Sequence, residues 1–264
     1  MQFGVEMEKQ LKTHAFVALV SGLLCVPVHS DEVETLEWSF VLEENGRVSL
    51  ENVSGDVTIL GVDGRNVEIK AVKRADSASG LEGLEIVIDS KKDMIRIETE
   101  HPDSGLSGLL WWNKSEDGQV DYTLRVPRDS NLDAISSVNG SVRIAQVGGT
   151  VIAKTVNGGI EASEIVSDAR LETVNGSVKA RFSQFEGNQK AKIESVNGRL
   201  SVMLPGDADC TVEAETINGS INGSDFDLAA EQGFVGHDLS GVIGSGSARL
   251  SLDTVNGGIK LLKD

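Results

Sequence analysis

The chain has 264 residues, with 41 acidic side chains against 24 basic ones and a net charge of −17. A surface this acidic repels the phosphates of nucleic acid and of anionic lipid head groups, which excludes nucleic acid as a partner. Two cysteines, Cys25 and Cys210, and four histidines leave little material for a disulfide framework or a zinc cluster.

Residues 1–30 read as a signal peptide. Lys9 and Lys12 supply the positive end, Ala15 to Val28 is an apolar run, and Ser30 puts a small residue at the cleavage point before Asp31. The run is shorter than the roughly 20 apolar residues of a membrane span, and no later segment reaches that length. The mature chain is therefore expected to be exported, without a transmembrane segment, and periplasmic, cell-surface or extracellular. Leu24 is too bulky for the residue preceding a lipidated cysteine, which disfavours an anchor through Cys25. Removal of the leader leaves Cys210 as a single cysteine, so an internal disulfide is excluded.

Residues 31–264 read as one all-β domain, irregular over 31–130 and regular over 131–264. The segment Leu50-Glu51-Asn52-Val53-Ser54-Gly55-Asp56-Val57-Thr58-Ile59 has the pattern of the later repeats with Ser54 in place of asparagine, and is expected to be an early coil. Period-two runs follow at Val67-Ile69-Ala71, Leu84-Ile86-Ile88, Ile95-Ile97 and Val120-Tyr122-Leu124-Val126, with charged residues between the apolar ones as on a sheet with one wet face. Between these runs a glycine-rich stretch leads into Leu109, Leu110, Trp111, Trp112 and Asn113. Adjacent side chains of an extended segment cannot both enter a core. These five residues are the candidate contact surface for a partner or a sugar ring, with a cap over one end of the fold as the structural alternative.

From residue 137 onward one phrase recurs six times: Ser or Thr, then Val or Ile, then Asn-Gly. Its asparagines are Asn139, Asn157, Asn175, Asn197, Asn218 and Asn256, separated by 18, 18, 22, 21 and 38 residues. A period near twenty denotes stacked units, and the doubled last interval is expected to hide one degenerate copy. Apolar residues stand four before each asparagine (Ile135, Leu171, Leu252) and three after it (Val142, Val178, Ile259), so each phrase is strand, corner, strand. Asn-Gly accepts positive φ readily, which is expected at the corner.

Two architectures fit. In two-residue hairpins the Val or Ile before each asparagine would point outward, whereas a coiled ribbon is expected to turn it inward. That argument favours a parallel β-helix, or β-solenoid, with coils of about 20 residues and a less regular N-terminal β part. Stacked coils would align the six asparagines in a side-chain amide ladder. The chain ends seven residues after Gly257, so self-association through an uncovered terminal coil is expected.

The Gly55-Asp56-Val57-Thr58-Ile59 start, the Tyr122 to Pro127 strand, the Val-Asn-Gly copies and the ending from Gly241 through Ile259 together resemble the bacterial "putative adhesin" family, also called the toast-rack domain. The likeness covers nearly the whole of residues 31–264. It implies a β-helix-like fold in exported or envelope-associated proteins, some linked to envelope-stress systems, and no established enzyme activity.

Chemistry is sparse. A serine triad needs an oriented histidine, and His101 and His237 sit in no motif; Cys210 beside Asp207 and Asp209 lacks a nearby histidine for zinc and reads as a buried strand cysteine. No catalytic residue, metal site or cofactor is assigned. The enzymatic alternative is a polysaccharide-cleaving β-helix using two carboxylates among Asp56, Asp63, Glu68, Glu161, Glu172, Glu194, Glu215 and Asp253. Four of these recur three residues before asparagine, where a charge is simply the outward half of the alternation. The leading expectation is a non-enzymatic envelope module that contacts a protein or glycan.

Overall fold

The computed structural model describes residues 32–100, 118–233 and 235–264. Residues 32–127 contribute β1 (Glu32–Val41), β2 (Arg47–Ser54), β3 (Val57–Val62), β4 (Asn66–Ala75), β5 (Glu85–Ser90), β6 (Met94–Glu100) and β7 (Gly118–Pro127). The regular repeats follow as β8 (Asn131–Asn139), β9 (Val142–Ala145), β10 (Val151–Asn157), β11 (Ile160–Ile165), β12 (Ala169–Asn175), β13 (Val178–Phe182), β14 (Lys190–Asn197) and β15 (Leu200–Leu204). The remainder is β16 (Cys210–Asn218), β17 (Ile221–Asn222), β18 (Glu231–Gln232), β19 (His237–Ile243), β20 (Ala248–Asn256) and β21 (Ile259–Lys263). One six-residue helix, Ala78–Gly83, interrupts the strands, and the Ser77 hydroxyl caps it by accepting from the Gly80 N–H.

The strands form two sheets. One has the order β1-β4-β7-β3-β9-β11-β13-β15-β21-β17, the other β18-β19-β16-β20-β14-β12-β10-β8-β2-β6-β5. A coil climbs a strand of the second sheet, turns at Asn-Gly, and continues in the first, so the fold is the expected β-solenoid flattened into two faces. Like residues lie over like: Leu171 pairs Ile193, Ile193 pairs Leu252, and Asn157, Asn175 and Asn197 share one column. Alternation drives every second side chain into the space between the sheets. Leu171, Ile193, Leu252, Val178 and Leu200 are all fully buried there. The early coil at Leu50 to Ile59 is present, with Ser54 in the asparagine column opposite Asn139.

Two expectations about the C-terminal end are corrected. The doubled interval contains no degenerate coil: after β17 the chain makes a short 3₁₀ turn at Ser224–Phe226 and returns as β19, antiparallel to β16. The last coil in sequence is also not the last in the stack, because β20 inserts between β14 and β16, and β21 between β15 and β17. Self-association through an uncovered terminal coil thereby loses its basis. At one end the second sheet finishes in antiparallel β19 on β16 while the first finishes in the two-residue parallel strand β17, and at the other end β5 on β6 and β4 and β1 on β7 are antiparallel. Changing strand direction at the ends blunts the edge that parallel coils would present.

Candidate functional site

Each position of the repeated phrase has its own physical task. The hydroxyl residue points inward and is buried. Thr155, Thr173 and Ser195 donate to the carbonyls of Gly140, Gly158 and Gly176 in the adjacent coil at 2.9–3.0 Å, and Thr254 and Thr216 donate to Gly198 and Gly257. Without that bond a buried corner carbonyl would lose a partner, at a cost of about 1–3 kcal/mol. Asn52 takes over this task in the first coil, its amide reaching the carbonyls of Ser54, Gly55 and Val120.

The six asparagines form an unbroken ladder. Asn157 donates to Asn139, Asn175 to Asn157, Asn197 to Asn175, Asn256 to Asn197 and Asn218 to Asn256, each at 2.8–2.9 Å. The corner itself corrects the expected conformation: neither the asparagines nor their glycines adopt positive φ. Glycine is required for space instead. A Cβ on Gly158, Gly176 or Gly198 would lie 1.7–2.0 Å from the glycine carbonyl oxygen of the neighbouring coil, which no side chain survives.

The Val or Ile position is the second correction. Val53, Val138, Val156 and Val174 point outward, as do Val196, Val255 and Ile217, and all are 37–49 % exposed. The pleat continues through the corner, so the inward hydroxyl forces its successor out. Inward packing of this residue therefore does not distinguish solenoid from hairpin. Lateral stacking of β-branched side chains across rungs about 4.8 Å apart shields the rest of each one. Seven rungs make an apolar row about 29 Å long on the outside of the second sheet.

A row of carboxylates runs beside it. On the same outward face, two residues back along the strand and thus about 7 Å away, Glu172, Glu194, Asp253 and Glu215 occupy consecutive strands in register, and Asp238 of the antiparallel β19 lies opposite Glu215. Glu172 is bound by Lys154 at 2.9 Å and by Arg170, and Glu194 by Lys192 at 3.0 Å. Burial alone would raise the Glu172 pKa, but those two cations lower it. Among the described residues Asp253, Glu215 and Asp238 have no ion-pair partner. Asp253 titrates above the usual aspartate value, first because of burial and further because of Glu194 and Glu213, against a hydrogen bond from Ser251 and the charge of Lys192.

Both rows end in a groove of about 580 Å³ lined by the end of β16 and by Gly233, Val235, His237 and Asp238. Val255, Ile217 and Val235 give it an apolar wall, and Glu215, Asp253 and Asp238 an acidic one. His237 lies there with its Nδ1 buried and without a hydrogen-bond partner. The glycine-free interior of β16 gives no sign of this groove; its trace in the sequence is the doubled asparagine interval.

The other predicted carboxylates do not gather into a site. Asp56 pairs with Arg143 at 3.0 Å, Asp63 with Arg128 at 3.0 Å and Glu68 with Arg125 at 3.1 Å, while Glu161 lies in register between Arg143 and Lys179. Cys210 is buried at the start of β16, its thiol pushed up to about 12 by burial and then by the Asp209 carboxylate. Leu109, Leu110, Trp111, Trp112 and Asn113, like His101, lie outside the described residues.

The Toastrack DUF4097 family profile matches residues 42–262, from the loop after β1 to the last strand. The chain belongs to that family. Among solved structures, this Toastrack chain resembles a "putative cell adhesion protein" from Clostridium sporogenes with a TM-score of 0.50 at 16 % identity, over 88 % of this chain and 100 % of that one. A "putative adhesin" from Bacteroides fragilis aligns with a TM-score of 0.42 at 13 % identity, covering 87 % of this chain and 97 % of the other. A "putative lipid binding protein" from Parabacteroides distasonis aligns at 0.29 and 10 % identity, covering 87 % and 96 %. No curated protein matches the chain. The first likeness supports the solenoid fold and nothing finer. Among the described residues of this Toastrack domain no helix is long and apolar enough to cross a membrane.

Proposed function

We propose that this chain is an exported, non-enzymatic β-solenoid that acts as an adhesive or interaction module of the cell envelope, with residues 1–30 as its cleaved leader. The observation that supports this most is the outer corner face. A stack held by hydroxyl, amide and glycine ladders presents a straight apolar row beside carboxylates, which is a geometry for contact rather than for bond cleavage. Its partners are a protein or glycan of the envelope, and a place in an envelope-stress system is the finer form of the same reading. Leu109 to Asn113 are proposed, on sequence grounds, as a further contact segment.

The test pairs two measurements on the purified mature protein. Incubation with envelope polysaccharides is expected to release neither reducing ends nor unsaturated products, and pull-down from an envelope fraction is expected to retain a protein or glycan that Trp111→Ala with Trp112→Ala no longer retains. Product release that depends on Glu215 or Asp253 would replace this reading with the glycan-cleaving one. N-terminal sequencing of exported protein is expected to begin at Asp31.

A further inference from the structure

Seven of the twelve exposed large apolar side chains among the described residues fall in the one row from Val53 to Ile217, and Val235 adds an eighth over the groove at its end. Singly exposed valines need no explanation, but a continuous apolar line is the mark of a contact surface. Its length, rung spacing and electrostatics define what fits.

We propose that this face is a docking track for a cationic amphipathic helix of about 20 residues, whose apolar stripe lies along the valine row while its lysine or arginine side chains meet Asp253, Glu215 and Asp238. The inference deepens the interaction-module reading and rests on it. A helix advances about 5.4 Å per turn against rungs of about 4.8 Å, so five turns cover about 27 Å of the 29 Å row while the two periods drift apart by about 3 Å, and the apolar stripe meets the row as a continuous line rather than side chain by side chain. The carboxylate row, about 7 Å to one side, falls under the basic flank of such a helix.

Charge complementarity selects this occupant over the others. Among the described residues the three carboxylates nearest the groove form no ion pair, whereas Glu172 and Glu194 farther along are already paired with Lys154, Arg170 and Lys192. A second copy of this chain would set an identical acidic row against the first under a net charge of −17, and an anionic lipid surface or nucleic acid would meet the same repulsion. The groove lined by Glu215, Asp238 and Asp253 closes the track at its most acidic end.

The experiment measures binding of a labelled 20-residue synthetic helix with leucine on one face and lysine on its flanks, by fluorescence anisotropy at several salt concentrations. Two control peptides carry glutamate for lysine, or the same composition scrambled to destroy the amphipathic face. The lysine helix is expected to bind at least tenfold tighter than either control. Val174→Ser with Val196→Ser, and separately Glu215→Gln with Asp253→Asn, are each expected to weaken binding about tenfold, the second pair also flattening the salt dependence. Circular dichroism melts confirm that both double variants fold. Equal binding of the scrambled peptide, or affinity untouched by the serine variants, overturns the proposal, as does a concentration-dependent dimer that the serine variants abolish. Loss of this proposal leaves the pull-down result standing, so its failure is separable from failure of the module reading.

Discussion

Asn256 donates its side-chain amide to Oδ1 of Asn197 at 2.8 Å, although 59 residues of chain separate them, and its own Oδ1 accepts from Asn218. The ladder is therefore ordered by position in the stack and not by position in the chain. The C-terminal coil completes it by entering between two coils laid down earlier in the sequence.

Asn175→Ala removes two ladder bonds, the one to Asn157 and the one from Asn197, whereas Asn218→Ala removes only the bond at the end. With about 0.5–1.5 kcal/mol per bond, Asn175→Ala is expected to cost about 1–2 kcal/mol and Asn218→Ala about half of that. Urea unfolding midpoints decide; equal losses would show that the ladder does not act bond by bond.

Gly176→Ala and Gly187→Ala separate two reasons for glycine. A Cβ at Gly176 meets the Gly158 carbonyl oxygen at 1.9 Å, while Gly187 has φ of +67° and open space around it. The first is expected to cost about 3 kcal/mol or more through forced separation of two coils, the second about 1 kcal/mol through backbone strain alone. Thermal unfolding of the two variants side by side measures the difference.

Asp209 ties the turn between β19 and β20 to the start of β16. It accepts from the Ser245 hydroxyl at 2.7 Å and from the N–H groups of Ser245, Gly246 and Ser247, and the Ser245 hydroxyl first, with Ser247 and Gly246, holds its pKa down to about 2 against burial. A carboxyl depressed in the folded state stabilises above its ordinary value of 3.8 and loses that contribution as pH falls toward about 2. Asp209→Asn is expected to lower stability at neutral pH and to flatten the acid limb of the stability profile in that window, read by urea titrations at a series of pH values.

Cys210 is fully buried and its thiol is held in the neutral form. Since the thiolate is the reacting species, iodoacetamide at pH 8 is expected to leave the native protein unmodified and to alkylate it in urea, with mass spectrometry as the readout. Rapid labelling of the native protein would show that the start of β16 opens locally.

Most of the architecture was legible because it is written in local alternation. The columns containing Leu171, Val178 and Asn175 reveal strand, corner and period without any knowledge of contacts. The glycine column was also visible, but its cause was not. Glycine that permits positive φ and glycine that admits a neighbouring carbonyl are identical in sequence, and only the 1.7–2.0 Å approaches tell them apart. Likewise the expectation that Val174 points inward rests on the burial that an apolar side chain favours. The pleat outweighs that preference, since Thr173 must face the Gly158 carbonyl and neighbouring side chains point oppositely.

By itself the sequence determined the repeat unit, its two strands and the residues that stack, since these follow from side-chain period and from what a corner demands of its own residues. Coil order and the site were decided only in three dimensions. Nothing local distinguishes a last coil that ends the stack from one that enters between β14 and β16, because both bury the same side chains and make the same ladder bonds. That insertion puts Asp253 between Glu194 and Glu215, and the hairpin it requires puts Asp238 beside Glu215. The acidic row and the groove at its end are thus consequences of topology, assembled from residues whose separate sequence contexts hold only alternating strand.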